Sequence, residues 1–231
     1  IPALFGAGLP DHLGWFALKE RGRLKPGETL LVHAAAGGTG SGALVLGKAM
    51  GARVIATAGS EEKLQFCRDL GADHAVNYRD SDWVEQVMEL TYGRGVDVAF
   101  DAVGGNVSVQ TFKCMGFNGR HLMAGFAEDI ALEDGDYLSP RPLAYGNFDL
   151  CGVCLVYVTD PLAVRRTLGF NWPARSEGLD AHVKILEMIR KGEIKTVVGE
   201  EVAWADLPEA LERMAARQTT GRLVVSTGAH A

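Results

Sequence analysis

The sequence predicts an α/β protein with a doubly wound parallel sheet, and three observations carry that prediction. Short apolar runs of strand length alternate with longer segments that have helical periodicity. The run at 29–34 is followed by a glycine-rich turn and a helix-like segment that ends at Gly51. The run at 96–101 is almost wholly apolar, as in a central strand covered on both faces.

The glycine-rich turn places Gly37, Gly38, Gly40 and Gly42 within six positions. A strand, such a turn and a helix present free backbone N–H groups at a helix N-terminus, where a phosphate binds. Glycine suits this position because a Cβ would hold a pyrophosphate away from the backbone. An ordinary tight turn has the same spacing, so the second strand must decide between the two interpretations.

The second strand, at 53–58, ends in Ala58-Gly59-Ser60 and is followed by Lys63. An NAD-binding chain would place Asp or Glu there to hold the ribose 2′-hydroxyl. A neutral strand end followed by a hydroxyl and an ammonium suits a 2′-phosphate better. These residues predict NADPH as the cofactor, with Ser60 also the N-cap of the next helix.

The remaining elements follow in chain order. The segment 1–24 is expected to be helical after Pro10, with Asp11 as its N-cap rather than half of an Asp11–His12 acid/base pair. Further strands are expected at 74–78, 96–101, 119–125, 148–158, 196–204 and 221–225. Further helices are expected at 61–70, 83–91, 106–115, 160–171 and 179–189, and after Asp206.

Composition excludes several functional classes. The chain has 231 residues, 47% of them hydrophobic, and a net charge of −6, which disfavours nucleic acid or an anionic membrane as a partner. No apolar run reaches the roughly 18 residues of a membrane span, and the first residues do not resemble a signal peptide, so a cytoplasmic location is expected. Cys151 and Cys154 form a CxxC, but no second pair or histidines lie near them, and no metal is predicted.

Ala34, Ala35, Gly37 and Gly40 spell A-A-x-G-x-x-G, which differs from the GxGxxG fingerprint. The string LKPGETLLVHAAAGGTGSGALVLGKAMGARVIATAGSEEKL resembles the zinc-independent medium-chain dehydrogenase/reductases, and in particular the quinone oxidoreductase (zeta-crystallin-like) group. The resemblance continues through VDVAFDAVGG to TTGRLVV, with the motifs in the family's order.

The resemblance implies a Rossmann-type cofactor domain and a set of cofactor contacts. In this numbering the set is Gly37, Gly38, Thr39, Gly40, Ser60, Lys63, Tyr78, Val103 and Phe126. It also implies that Asp101 is architectural and that the loop at Phe126 covers the nicotinamide. A threonine that approaches the nicotinamide in relatives is replaced here by Leu13-Gly14-Trp15.

Relatives carry an N-terminal, mostly β catalytic domain that this chain is expected to lack. The expected organisation is a linker helix (1–24), a dinucleotide-binding domain (25–195) and a C-terminal remnant of the catalytic domain (196–231). The two strands of that remnant should be disordered, or paired with each other or with a neighbouring chain, because an open strand edge seeks a partner.

The resemblance implies an NADPH-dependent enzyme that reduces quinones or conjugated enones by two electrons, with no catalytic side chain assigned. The alternatives are a zinc-free enoyl or alkenal reductase and a non-catalytic nucleotide-binding structural protein. A short-chain dehydrogenase is disfavoured because no tyrosine is followed by a lysine four positions later. A homodimer across the strand at 148–158 is expected, since that run is apolar and has no Lys, Arg or Pro.

Overall fold

The computed structural model describes residues 8–128 and 138–226. Its main sheet has six strands in the order β3-β2-β1-β4-β5-β6, and every neighbouring pair is parallel. The strands are β1 Thr29–Val32, β2 Arg53–Ala58, β3 His74–Asn77, β4 Val96–Asp101, β5 Met115–Met123 and β6 Asp149–Gly152. The predicted doubly wound parallel sheet is confirmed.

Helices connect these strands and continue after the last of them. They are α1 Leu9–Trp15, α2 Gly38–Ala49, α3 Glu61–Asp69, α4 Trp83–Leu90, α5 Gly105–Thr111, α6 Pro140–Gly146, α7 Pro161–Leu168, α8 Arg175–Arg190 and α9 Leu207–Ala215. Of these, α6 is the one that the sequence pattern did not predict.

Strand β1 lies at the centre of the sheet, between β2 and β4. Leu30, Leu31 and Val32 are fully buried because helices cover both faces of the sheet. The order of the strands reverses between β1 and β4, so the connections after their carboxyl ends diverge and leave a crevice, where ligands of such folds bind.

Helix α2 approaches β1 closely because it carries glycines on the side that faces the sheet. A Cβ at Gly40 would lie 2.3 Å from the carbonyl oxygen of Ala34, and a Cβ at Gly47 would lie 2.4 Å from Leu30 Cδ2. Both distances are shorter than any contact a real side chain makes. The neighbour of Gly40 is backbone and cannot move aside, so this glycine is required for packing, whereas a residue at Gly47 would displace the end of the Leu30 side chain.

The prediction that Asp11 caps the first helix is wrong. Helix α1 begins at Leu9 with Pro10 in its first turn, where a missing N–H has no cost, so Asp11 lies inside the helix. Its side chain is only 3% exposed and accepts a hydrogen bond of 3.4 Å from Thr196 Oγ1. An Asp11–His12 acid/base pair does not form either, because His12 Nε2 lies 3.0 Å from His182 Nδ1.

Two strand boundaries differ from those expected. Strand β6 ends at Gly152 and not at position 158, because its neighbour β5 ends at Met123 and offers no further register partners. Strand β5 begins at Met115, four residues early, with a register shift against β4 between Val96 and Val98. In both cases the extent of pairing, which the apolar pattern does not record, decides where the strand ends.

The last two strands, β7 Val198–Ala203 and β8 Arg222–Ser226, form a separate two-stranded parallel sheet. The pairing of these two strands with each other was one of the outcomes expected from the sequence. Gly221, just before β8, forms a parallel bridge with Gly37, and its N–H donates to Ala36 O at 2.8 Å. This bond fixes the start of β8 against the glycine turn of the main sheet.

Among the described helices, none combines the length and the apolar character that a membrane crossing needs. The polar excursion that follows Phe126 in the sequence falls mostly on residues 129–137, which lie outside the described part of the chain.

Replacing Asp11 with Asn should stabilise the protein more at neutral pH than in mild acid. Burial raises the pKa of Asp11 to about 6 from 3.8, opposed by the Thr196 hydrogen bond and the charge of Arg222. The folded chain therefore keeps a proton that the unfolded chain releases, and ionising Asp11 costs stability as pH rises through this range. Between about pH 4.5 and about pH 7.5, the advantage of the Asp11→Asn variant in free energy of unfolding should grow by about 2 kcal/mol.

Urea unfolding at both pH values measures this difference, with Asp180→Asn on an exposed face of α8 as the matched control. An advantage that does not change with pH would show that the Asp11 carboxyl ionises as readily in the folded chain as in the unfolded chain.

Candidate functional site

A cleft of about 610 Å³ lies at the carboxyl ends of β1 and β2, at the crevice where the strand order reverses. Residues from the glycine turn, from the end of β2, from the turn after β4 and from the segment before β8 border it. Such a position and size fit a dinucleotide or another ligand of similar length.

The glycine turn forms the floor of this cleft. Helix α2 begins at Gly38, and the first N–H groups of a helix have no partner within the helix. A Cβ at Gly38 would lie 3.6 Å from the backbone of Arg222 and Gly221, which is ordinary van der Waals contact without a clash. Gly37 and Gly38 border the cleft, whereas Thr39 and Gly40 do not, and Gly40 faces the turn after β1.

Ser60, Lys63 and Tyr78 come together at the end of β2, on the wall farthest from β4. Ser60 caps α3, since its Oγ accepts a hydrogen bond of 3.4 Å from the backbone N–H of Lys63, as predicted. Tyr78 follows the neighbouring strand β3. The structure therefore brings together the hydroxyl, the ammonium and the phenol that the sequence named.

Gly59 leaves the space that the side chains of Tyr78 and Arg79 occupy at this strand end. A Cβ there would lie 2.9 Å from the Tyr78 hydroxyl and 3.0 Å from Arg79 Nε. Any larger residue would displace both groups from the strand end. Glycine at this position is therefore part of the cleft and not only a strand terminator.

Three arginines that the sequence analysis did not name also border the cleft, Arg79, Arg217 and Arg222. Arg79 directly follows Tyr78 in the chain, and this adjacency was the one feature of the sequence that could have indicated its place in the cleft. Arg217 and Arg222 come from the segment assigned to a remnant of another domain, so nothing in the sequence pointed to them. Their charges add to that of Lys63, and the cleft attracts anions.

The wall on the β4 side is less polar and is formed by Val103 and Val107. Phe126, expected to cover this end, packs instead against Gly104, where a Cβ would lie 3.4 Å from Phe126 Cδ1. The two residues that follow Phe126, Ala127 and Glu128, border the cleft instead. Their N–H groups donate to Ala102 O at 3.2 Å and Val103 O at 2.9 Å, which ties this loop to the turn after β4.

Asp101 shapes that turn. Its buried carboxylate accepts hydrogen bonds from the N–H groups of Val103 at 2.8 Å and Gly104 at 3.0 Å, and from the Ser108 hydroxyl. His121 Nε2 lies 3.2 Å from the same carboxylate. Burial favours the neutral acid, but the contact with His121, nearby His33 and Ser108 hold the pKa of Asp101 well below its usual range. The side chain is thus a fixed structural anion and not a proton donor.

His33 lies beneath the cleft at the end of β1 and is fully buried. Its Nε2 lies 2.8 Å from Thr111 Oγ1, and its Nδ1 lies 2.9 Å from Thr57 Oγ1. Because the Thr111 hydroxyl donates to Val107 O, it accepts from Nε2–H, and Thr57 then donates to Nδ1. Burial lowers the pKa of His33 to about 4, against the charge of Asp101, so the ring is neutral at pH 7.

A protein-family model described as "Zinc-binding dehydrogenase" matches residues 38–168. The chain belongs to this family. Its six-stranded parallel sheet matches the Rossmann-like, cofactor-binding domain of medium-chain dehydrogenase/reductases.

Three relatives illustrate the membership. A 2-haloacrylate reductase from Burkholderia sp is 29% identical over 96% of this chain and 62% of its own length. A mycocerosic acid synthase-like polyketide synthase from Mycobacterium tuberculosis is 34% identical over 71% of this chain and 8% of its own length. The structure of mycobacterial Rv1454c complexed with NADPH aligns with a TM-score of 0.76 and 25% identity, over 95% of this chain and 62% of that one.

This chain therefore spans about three fifths of the length of a single-enzyme relative, and much less of a polyketide synthase. The family's name implies zinc, but within residues 8–128 and 138–226 no three His, Cys, Asp or Glu side chains converge on a point. Cys67, Cys114 and Cys151 are buried singly and unpaired. These residues do not fit a zinc ion.

Two glycine variants should separate binding from folding. In Gly38→Val the new Cβ makes only ordinary contacts of 3.6 Å with Arg222 and Gly221, so the fold should be retained with a smaller loss of melting temperature than a clash causes, while dinucleotide binding is lost. In Gly40→Ala the new Cβ collides with the Ala34 carbonyl, and the melting temperature should fall by about 5 °C or more.

Thermal unfolding and fluorescence titration with NADPH measure the two effects on the same preparations. Normal NADPH binding by the Gly38→Val variant would show that the turn does not hold the pyrophosphate.

Proposed function

We propose that this chain is the NADPH-binding part of an oxidoreductase that reduces quinones or conjugated enones by two electrons. The observation that carries the proposal is that Ser60, Lys63 and Tyr78 border the same cleft at the end of β2, where the Tyr78 hydroxyl lies against Gly59. A hydroxyl, a phenol and an ammonium at one end of a cleft suit a 2′-phosphate, since each donates to phosphate oxygens.

The rest of the cleft supports a dinucleotide in one orientation. The pyrophosphate fits the N-terminus of α2 at Gly38, with Arg222 beside it. The adenosine end then lies at Ser60, and the nicotinamide lies along Val103 and Val107. Apolar walls at that end exclude water from the reacting ring.

The chain's own residues bind and orient the cofactor, and none bordering the cleft is needed as a nucleophile. NADPH supplies the hydride when bound. Asp101 fixes the turn that carries Val103, through two backbone N–H groups. His33 is held neutral beneath the floor and does not exchange protons near pH 7. The groups that bind the second substrate are not assigned within this chain.

The relatives favour the conjugated double bond over the quinone within this proposal. A 2-haloacrylate reductase acts, by its name, on a C=C bond conjugated to a carboxylate. A zinc-free enoyl or alkenal reductase is therefore the second candidate function. A non-catalytic nucleotide-binding role is the third, and turnover of NADPH with a panel of quinones and enones separates all three.

Charge reversal at Lys63 should remove the preference for NADPH. The unmodified chain should bind NADPH at least about tenfold more tightly than NADH, because one charged hydrogen bond contributes about 1.5–3 kcal/mol. In Lys63→Glu the carboxylate repels the 2′-phosphate, so NADPH affinity should fall to that of NADH or below it. NADH affinity should stay within about twofold.

Fluorescence titration with both dinucleotides checks this, and Lys113→Glu, a surface change outside the cleft, is the matched control. Equal affinity of the unmodified chain for NADPH and NADH would contradict the assignment of the 2′-phosphate site.

We also propose a homodimer across the edge strand β6. Within the described residues this strand pairs with β5 alone and lies at the end of the sheet. Arg21 Nε donates to Gly152 O at 3.0 Å, so the far end of the strand is partly covered. Pairing is therefore expected along Asp149–Cys151. Light scattering at about 10 µM should give twice the monomer mass, and a strictly monomeric species would contradict this arrangement.

A further inference from the structure

The segment Arg217–Gly221, named here the strap, joins α9 to β8 and touches three sides of the cleft. Lys63 Nζ donates to Arg217 O at 2.6 Å on the α3 side. Arg217 Nη2 donates to Ala127 O at 3.1 Å on the side of the turn after β4. Gly221 N–H donates to Ala36 O at 2.8 Å on the floor. One residue, Arg217, thus connects the two opposite walls.

Both ends of the strap have left-handed backbone conformations, with φ of +58° at Arg217 and +60° at Gly221. Glycine adopts this region freely, whereas a residue with a Cβ, such as arginine, is strained there. Arg217 occupies the position after a helix where glycine is usual, and Gln218 N–H donates back to Arg213 O at 2.9 Å. This turn directs the Arg217 carbonyl towards Lys63 and its guanidinium towards Ala127.

We propose that the strap is a gate that must move away from the cleft before a dinucleotide enters or leaves. This rests on the proposed function, because it takes the cleft as the dinucleotide site. A ligand that reaches from Ser60 to Val103 passes the bridge that Arg217 makes between the walls. The two side-chain bonds of this bridge are exposed and single, so each breaks readily and the strap can open.

A gate has a kinetic signature that a simple binding contact lacks. If the ligand enters and leaves only through the open form, loosening the strap raises the association and dissociation rate constants together. The equilibrium affinity then stays nearly constant. A side chain that merely contacts the ligand behaves differently, because its removal raises the dissociation rate constant alone and weakens binding.

NADH is the probe that isolates the gate, because it has no 2′-phosphate for Lys63 to bind. Arg217→Asn removes the guanidinium but keeps a residue that tolerates the left-handed region. Lys63→Met removes the hydrogen bond from Lys63 Nζ to Arg217 O. In stopped-flow fluorescence at high salt, where the lost positive charge counts little, each variant should raise both NADH rate constants about threefold to tenfold, with Kd changed less than about twofold. Arg165→Asn, on the exposed face of α7, should change neither rate constant.

Arg217→Gly is the second test of the same idea, because it removes the guanidinium and leaves a residue that adopts the left-handed region freely, so it should accelerate NADH exchange as Arg217→Asn does. Unchanged rate constants in all three cleft variants, or a rise in the dissociation rate constant alone, would overturn the gate and leave the dinucleotide site standing. Failure of the unmodified chain to bind either dinucleotide would overturn the proposed function and the gate together.

Discussion

The close approach of α2 to the end of β1 is the constraint on which the rest of the site depends. Gly40 lets the helix begin directly over the Ala34 carbonyl, and no residue with a side chain fits there. The N-terminus of α2 consequently opens at the crevice between β1 and β4. The N-terminus of α2 then lies where phosphates bind in folds of this kind, and the ends of β2 and β4 form the two sides of the cleft.

Electrostatics divides the cleft into a binding surface and a structural layer beneath it. The bordering cations, Lys63 and the three arginines, favour an anionic ligand. Beneath them, Asp101 stays ionised through hydrogen bonds that hold the turn after β4, and His33 is kept neutral between two threonine hydroxyls. The buried titratable groups thus fix the shape of the site, which agrees with the proposal that the cleft holds a cofactor and supplies no reactive side chain of its own.

Much of the fold was predictable from the sequence because the determining signals are local. Apolar runs indicated the strands of the main sheet, and the hydroxyl of Ser60 before a helix indicated a cap that the structure confirms. What could not be predicted depends on distant partners. The length of β6 depends on where β5 ends, the burial of Asp11 depends on Thr196, and the position of Arg217 depends on a turn that returns to the cleft from the far end of the chain.

The central proposal is that the end of the cleft bordered by Ser60, Lys63 and Tyr78 binds a 2′-phosphate. Isothermal titration with 2′,5′-ADP and with 5′-AMP tests it most directly, because the two nucleotides differ by that phosphate alone. The account predicts that 2′,5′-ADP binds at least about tenfold more tightly, with an advantage that shrinks as salt is added. Equal affinities at low ionic strength would contradict the account, since Ser60, Lys63 and Tyr78 would then meet for some other reason.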